Sequence, residues 1–187
     1  LVKLDTDGGI VMETDYEVNA AGFTIHSAVH QARHDLACVM HTHTVAGMAV
    51  SAQKAGLLPL AQTSLEFYEN LAYHDYEGIA LDLDERERLV ADLGDKMAMM
   101  LRNHGLLTCG KSVALAFTKM HSLEKSCQLQ VAAQAGGELI LPSKEVCEHT
   151  AKQFRQSENT EAEGHLDQLA WTALLRKLDR INPGYDS

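Results

Sequence analysis

The chain has 187 residues, 45% of them hydrophobic and 22% charged, with a formal net charge of -10. That length and apolar content support one sizeable core, so a single domain over residues 1–187 is the economical expectation. An acidic surface argues against a nucleic-acid partner and against a polybasic membrane contact, because phosphate binding needs clustered Lys and Arg.

No apolar run approaches the roughly 18–20 residues that span a bilayer, and nothing at the start resembles a signal peptide. The expectation is a soluble, cytoplasmic protein. Cys38, Cys109, Cys127 and Cys147 are widely spaced and form no C-x-x-C pair, which predicts free thiols in a reducing compartment. The first residue is Leu1, inside a strand-like segment, so a further N-terminal part is expected to precede it.

In chain order, Leu1 to Leu4 and Ile10 to Met12 flank Asp5-Thr-Asp-Gly-Gly9 and predict an antiparallel hairpin. Phe23 to Arg33 reads as a partly buried helix capped by Asn19 or Thr24. The apolar run Leu36 to Met40 reads as a buried strand leading into His41-Thr42-His43. A helix over Val45 to Ala55 stops at Gly56, and a second helix runs from Ser64 to Leu71. Ala72 to Gly78 has aromatic strand character, and Asp84 caps a charged helix through Leu93, closed by Gly94.

Met97 to Leu101 then reads as a strand reaching the turn Asn103-His104-Gly105, followed by a short strand over Leu106 to Cys109. Ser112 caps the longest helical pattern, Val113 to Ala135, with Phe117, Met120, Leu123 and Cys127 on one face. Residues 143–187 form a helical tail in two pieces, broken near Ser157-Glu-Asn159. Strands alternating with helices, with hairpins mixed in, predict an α/β layered domain with a mixed or largely antiparallel sheet.

Three histidines carry the chemistry. On a strand, residues i and i+2 share a face, so His41 and His43 can converge on one ion. His104 ends a second apolar run, and strands of one sheet deliver their ends to a common edge. Three imidazoles with an open fourth position is the usual plan of a catalytic zinc site, although imidazole also suits copper, iron and nickel.

His26, His30 and His34 have i, i+4 spacing but lack an accompanying glutamate, and read as a surface or supporting stripe. His74, His121, His149 and His165 read as structural or exposed. Glu66 and Glu69, beside Tyr68, are candidates for an acid or base, and Tyr185 could fold over a neighbouring site.

Five blocks in order resemble the class II aldolase/adducin family: His41-Thr-His43, Ala46 to Ser51, Gly56-Leu-Leu-Pro59, Ala72-Tyr-His-Asp-Tyr76 with Gly78, and Arg102-Asn-His-Gly-Leu106. The resemblance covers roughly residues 1 to 137 and extends more weakly over the tail. It implies a three-layer α/β/α fold around a mostly antiparallel sheet, assembled as a homotetramer with the active site between subunits. It also implies a divalent metal, Zn2+ first, on His41, His43 and His104, polarising the enediolate formed during carbon–carbon cleavage of a small-molecule substrate.

The departures matter equally. Where the family's sugar-phosphate aldolases carry a Ser-Ser-Glu segment for substrate phosphate and acid/base chemistry, this chain has Ala20, Ala21 and Gly22. The local sequence Ala21 to His30 instead resembles adducin heads, which lack that glutamate. The basic tail through which adducins engage the membrane skeleton has no counterpart up to Ser187, so actin binding is not expected.

Two readings follow. One is a lyase acting on a small hydroxy-carbonyl or sugar-derived compound without phosphate, with Glu66, Glu69, a neighbour's Tyr185 or the expected N-terminal part replacing the lost base. The other is a non-catalytic, adducin-head-like module that keeps a structural metal site for oligomerisation or binding.

Overall fold

The computed structural model describes residues 1–79, 84–157 and 161–186. In chain order the elements are α1 (Ala20–Ala32), β1 (Cys38–Thr42), α2 (Val45–Ser51), α3 (Gln62–Leu65), β2 (Ala72–His74), α4 (Glu85–Leu93), β3 (Ala98–Leu101), β4 (Gly105–Gly110), α5 (Val113–Ala135), α6 (Lys144–Ser157) and α7 (Glu161–Ile181). The four strands form one sheet in the order β1-β4-β3-β2. β1 with β4 and β3 with β4 are antiparallel, while β2 with β3 is parallel, so the expected mixed, mostly antiparallel sheet is present.

Period-two alternation builds the layers. Val39, Met99, Leu101, Leu107 and Cys109 face α1 and α4, where Ile25, Val29, Leu89 and Leu93 complete one core. Ala98, Met100 and Leu106 face the other way, against Val50 of α2, Phe67 and Leu71 after α3, and Met120, Leu123 and Cys127 of α5. Helices therefore cover both faces, giving three α/β/α layers. Burial of each such Leu or Met is worth about 1.5–3 kcal/mol, which makes the two faces the main source of stability.

Local chemistry sets the helix ends. The Asn19 side chain accepts from the Gly22 amide at 3.1 Å and starts α1 three residues before the expected Phe23. Ser112 does the same for the Leu115 amide at 3.2 Å, and α5 occupies the expected Val113–Ala135. Asp84 precedes α4 without a side-chain cap.

Several segments are shorter than the sequence suggests. α2 stops at Ser51 because residues 52–56 turn, with Gly56 at φ 65, and a Cβ there would lie 2.6 Å from the Tyr73 hydroxyl. α3 ends at Leu65, and Glu69, at φ 57, breaks any helical continuation and reverses the chain into β2. The opening hairpin is a single Leu4–Ile10 bridge, closed by Asp5, whose Oδ1 accepts from the Asp7 and Gly9 amides at 3.0 and 2.7 Å.

α7 lies against α5 through Trp171 and Phe117, whose rings meet edge-on with centroids 5.4 Å apart. Phe117 thus leaves the core face expected for it and serves the tail. The expected break in the tail falls partly on residues 158–160, outside the described residues, as does the side chain of His165. All four cysteines are free, and burial pushes the Cys109 and Cys127 thiols up to about 12.

Candidate metal centre

β1 alternates faces through its end. Met40 and Thr42 point toward α5, where the Thr42 hydroxyl lies 3.3 Å from the Met120 sulfur, while His41 shares the opposite face with Val39. His43 continues that alternation. The turn after β3 supplies the third ring: Asn103 takes φ 56, its amide donates to the Ser51 carbonyl at 3.3 Å, and His104 follows at the mouth of β4.

Gly105 is what lets the rings approach. A Cβ there would run into the Thr42 carbonyl and would sit 3.2 Å from His43 Cδ2 and 3.3 Å from His41 Cε1. The antiparallel register places Leu106 opposite Thr42 and Gly105 opposite Leu101, which carries both chain segments to one sheet edge.

The three ring centroids are 4.6, 4.7 and 4.7 Å apart, and one ligand nitrogen from each ring lies within 4.8 Å of the others. His41 Nδ1 is 2.9 Å from the Leu106 carbonyl, which can only accept, so Nδ1 carries the proton and Nε2 presents a lone pair. That Nε2 faces His43 Nε2 at 2.7 Å. Two imidazole nitrogens so close need a proton or a cation between them. Zinc–imidazole bonds of roughly 2.0–2.1 Å place ligand nitrogens roughly 3–4 Å apart, within a small ring rotation of this arrangement.

The donor set therefore fits a divalent ion held by three imidazoles. A main-chain carbonyl fixes the first ring's tautomer, as is usual for a metal-ligating histidine. His43 is exposed while His41 and His104 are half-buried, so the centre opens to solvent on one side. Burial pulls His41 down to about 4, against the opposing effect of its Leu106 bond and with smaller contributions from His104 and His43. His104 is lowered by burial and then by His43, and His26 by burial and then by His30.

Two neighbours escaped the sequence reading. Tyr76 is 54% exposed and stands edge-on to His104 at 6.4 Å between ring centroids. Glu124, in the middle of α5, accepts a hydrogen bond from Thr44, the residue after His43. Nothing in the order of residues along the chain links 124 to 44; only the packing of α5 across the sheet end does. His74, read as structural, is 3% exposed, and its Nδ1 lies 2.8 Å from Asp92.

The carboxylates singled out from sequence sit elsewhere. Glu66 pairs with Lys119 Nζ at 3.2 Å, and Lys119 lines a cleft with Arg33, Asp35 and Met97 at the opposite ends of the strands from the histidines. Glu69 is exposed on the rim of a small cavity beside Pro59 and Tyr68. Tyr185 follows α7 and is raised by desolvation and then by Asp179 and Asp186. Among the described residues neither glutamate joins the histidine cluster within one chain.

Ala20, Ala21 and Gly22 form the first turn of α1. A Cβ on Gly22 would meet nothing closer than 3.7 Å, so packing does not demand a glycine there.

Comparison with known proteins gives a consistent answer. Residues 1–131 match the model of the class II aldolase and adducin N-terminal domain. A Pseudomonas aeruginosa protein carrying an aldolase class 2 name is 53% identical over 187 residues, covering 99% of this chain and 71% of its own length. Rat alpha-adducin is 42% identical over 193 residues, covering 97% of this chain but 26% of its own length.

Among solved structures, an aldolase II superfamily protein from Pseudomonas syringae superposes with a TM-score of 0.90 at 52% identity, over 100% of this chain and 73% of that one. L-fuculose 1-phosphate aldolase from Glaciozyma antarctica gives 0.77 at 28% identity, over 95% of this chain and 68% of that one. With its layers, its sheet edge and these relatives in agreement, the chain belongs to the class II aldolase and adducin family.

Proposed function

We propose that this protein is a metal-dependent lyase acting on a small hydroxy-carbonyl or sugar-derived compound, with His41, His43 and His104 as the ligands of a divalent ion, zinc first. The observation that carries the reading is the convergence of three imidazole nitrogens within 4.8 Å at one open sheet edge, the first fixed by the Leu106 carbonyl. Lewis-acid polarisation of a substrate oxygen is the chemistry such an ion supplies when bound.

The chain's own residues do the rest. His41 and His104 are half-buried and held on the sheet, so they keep the ligand geometry; exposed His43 closes the third side. Tyr76, whose ring stands beside His104, hydrogen-bonds a substrate oxygen in this reading. Glu69 and Tyr185 are exposed and act, in this reading, across a contact with a second copy in a homo-oligomer, a tetramer by family likeness. Glu66 is the weaker choice for a base because it is engaged by Lys119.

A second reading has its own observation. Gly22 leaves the first turn of α1 without a carboxylate, and an adducin covers 97% of this chain at 42% identity. On that reading the centre is structural and the fold serves assembly.

Screening retro-aldol cleavage, dehydration and decarboxylation of small hydroxy-carbonyl compounds and hydroxy-acids, with zinc or manganese added and then chelated, separates the two. Metal-dependent turnover that is lost in His104→Ala supports the lyase. Metal binding without turnover of any of them supports the structural module.

A further inference from the structure

An open cleft of about 540 Å3 reaches the residues next to His104, though no histidine lines it. It lies between the end of α2, the loop after β2 and the turn before β4. Asn103, which immediately precedes His104, and Tyr76, which stands over the His104 ring, both line it.

Two cations face this cleft in a chain of net charge -10. Arg102 is anchored three ways: its amide donates to the His74 carbonyl at 2.8 Å, its Nη1 donates to the Gln53 carbonyl at 2.8 Å, and its guanidinium lies over the Tyr73 ring at 4.3 Å. Those anchors leave the Nε and Nη2 edge without a partner among the described residues. Lys54 is exposed and has no ion pair among the described residues. A fixed guanidinium edge and an exposed ammonium in one cleft suit a planar, two-oxygen anion.

Asp75 lines the same cleft and supplies discrimination. Its carboxylate accepts hydrogen bonds from hydroxyl groups and repels a dianion more than a monoanion. The helix turn with Ala20, Ala21 and Gly22, on α1, offers no side chain for phosphate.

We propose that this cleft is the subsite for a substrate carboxylate, so that the lyase substrate is a polyhydroxylated carboxylic acid whose hydroxyl end reaches the histidines. The inference rests on the metal-centre reading for the substrate's direction, and the cleft's own anion preference stands apart from it.

The test is calorimetric titration at low ionic strength of the zinc-loaded protein with D-glycerate, glycerol and glycerol 3-phosphate. It is repeated on Lys54→Glu, Arg102→Lys and His104→Ala, with folding checked by circular dichroism. D-glycerate is expected to bind about tenfold or more tighter than glycerol, the size of one hydrogen-bonded charge contact, and tighter than glycerol 3-phosphate.

Lys54→Glu, at an exposed position, should remove most of that preference, and Arg102→Lys should weaken it. Equal binding of glycerate and glycerol, indifference to Lys54→Glu, or preference for the phosphate ester overturns the proposal. In His104→Ala, a retained glycerate preference that Lys54→Glu abolishes supports the cleft even if the metal reading fails. A parallel loss of affinity for glycerate and glycerol assigns their common hydroxyl end to the histidines.

Discussion

Gly105 shows how one absent side chain shapes the centre. Its would-be Cβ runs into the Thr42 carbonyl and crowds the His41 and His43 rings, so Gly105→Ala should cost about 1–3 kcal/mol through overpacking. Chemical denaturation should show a lower midpoint, and metal affinity should fall with it. An unchanged midpoint would mean that the rings do not depend on that close approach.

Asp35 gives a pH signature remote from the centre. The Arg33 guanidinium bonds both its carboxylate oxygens, at 2.8 and 2.9 Å, and holds its carboxyl down to about 2. The folded state therefore releases this proton more readily than the unfolded chain. The stabilising effect is present above about pH 4 and is lost as pH falls toward 2. Asp35→Asn should flatten the stability loss across that window relative to the parent chain. A variant that retains the parent's acid slope between pH 4 and 2 would remove Asp35 from the account.

At the scale of elements, the first turn of α1 is open to improvement. Gly22 sits in a helix with room for a Cβ, so Gly22→Ala should stabilise by about 0.5–1 kcal/mol, read as a raised Tm. A lowered Tm would mean that the glycine meets a demand other than helix formation. The tail is held by an edge-on aromatic pair: a double-mutant cycle of Phe117→Leu and Trp171→Leu should return a coupling of about 0.5–1.5 kcal/mol. A coupling near zero would place the tail's attachment in other residues.

Elements with strong local signals were legible. The Ser112-capped α5 and the β3–turn–β4 unit announce themselves through periodicity and glycine placement, and His41, His43 and His104 share a sheet edge as their strand contexts imply. Segments set by long-range packing were not. α3 is cut short and the chain reverses at Glu69, φ 57, a left-handed turn at a non-glycine residue that a helical period over Ser64 to Leu71 conceals. Glu124 meets Thr44 through α5 crossing the sheet end, 80 residues away in sequence, and Arg102 is held by the Tyr73 ring and the Gln53 carbonyl.

For the whole molecule, two apolar faces of one small sheet do the folding, and the strand ends they position are left to polar residues. No helix among the described residues is long and apolar enough to cross a membrane. The chain spans 71% of the length of its Pseudomonas aeruginosa relative and 26% of rat alpha-adducin, so the domain serves chains of very different extent. In this chain an uncharged first turn of α1 occurs together with a cluster of three histidines at the sheet edge.

The measurement that bears most directly on the account is metal stoichiometry. Protein purified without chelators, dialysed and analysed by mass spectrometry for zinc, manganese, iron, copper and nickel should carry close to one divalent ion per chain. His104→Ala should lose most of it while keeping the same circular dichroism spectrum. Parent protein free of metal after zinc loading, or a His104→Ala variant with undiminished content, would contradict the three-histidine centre.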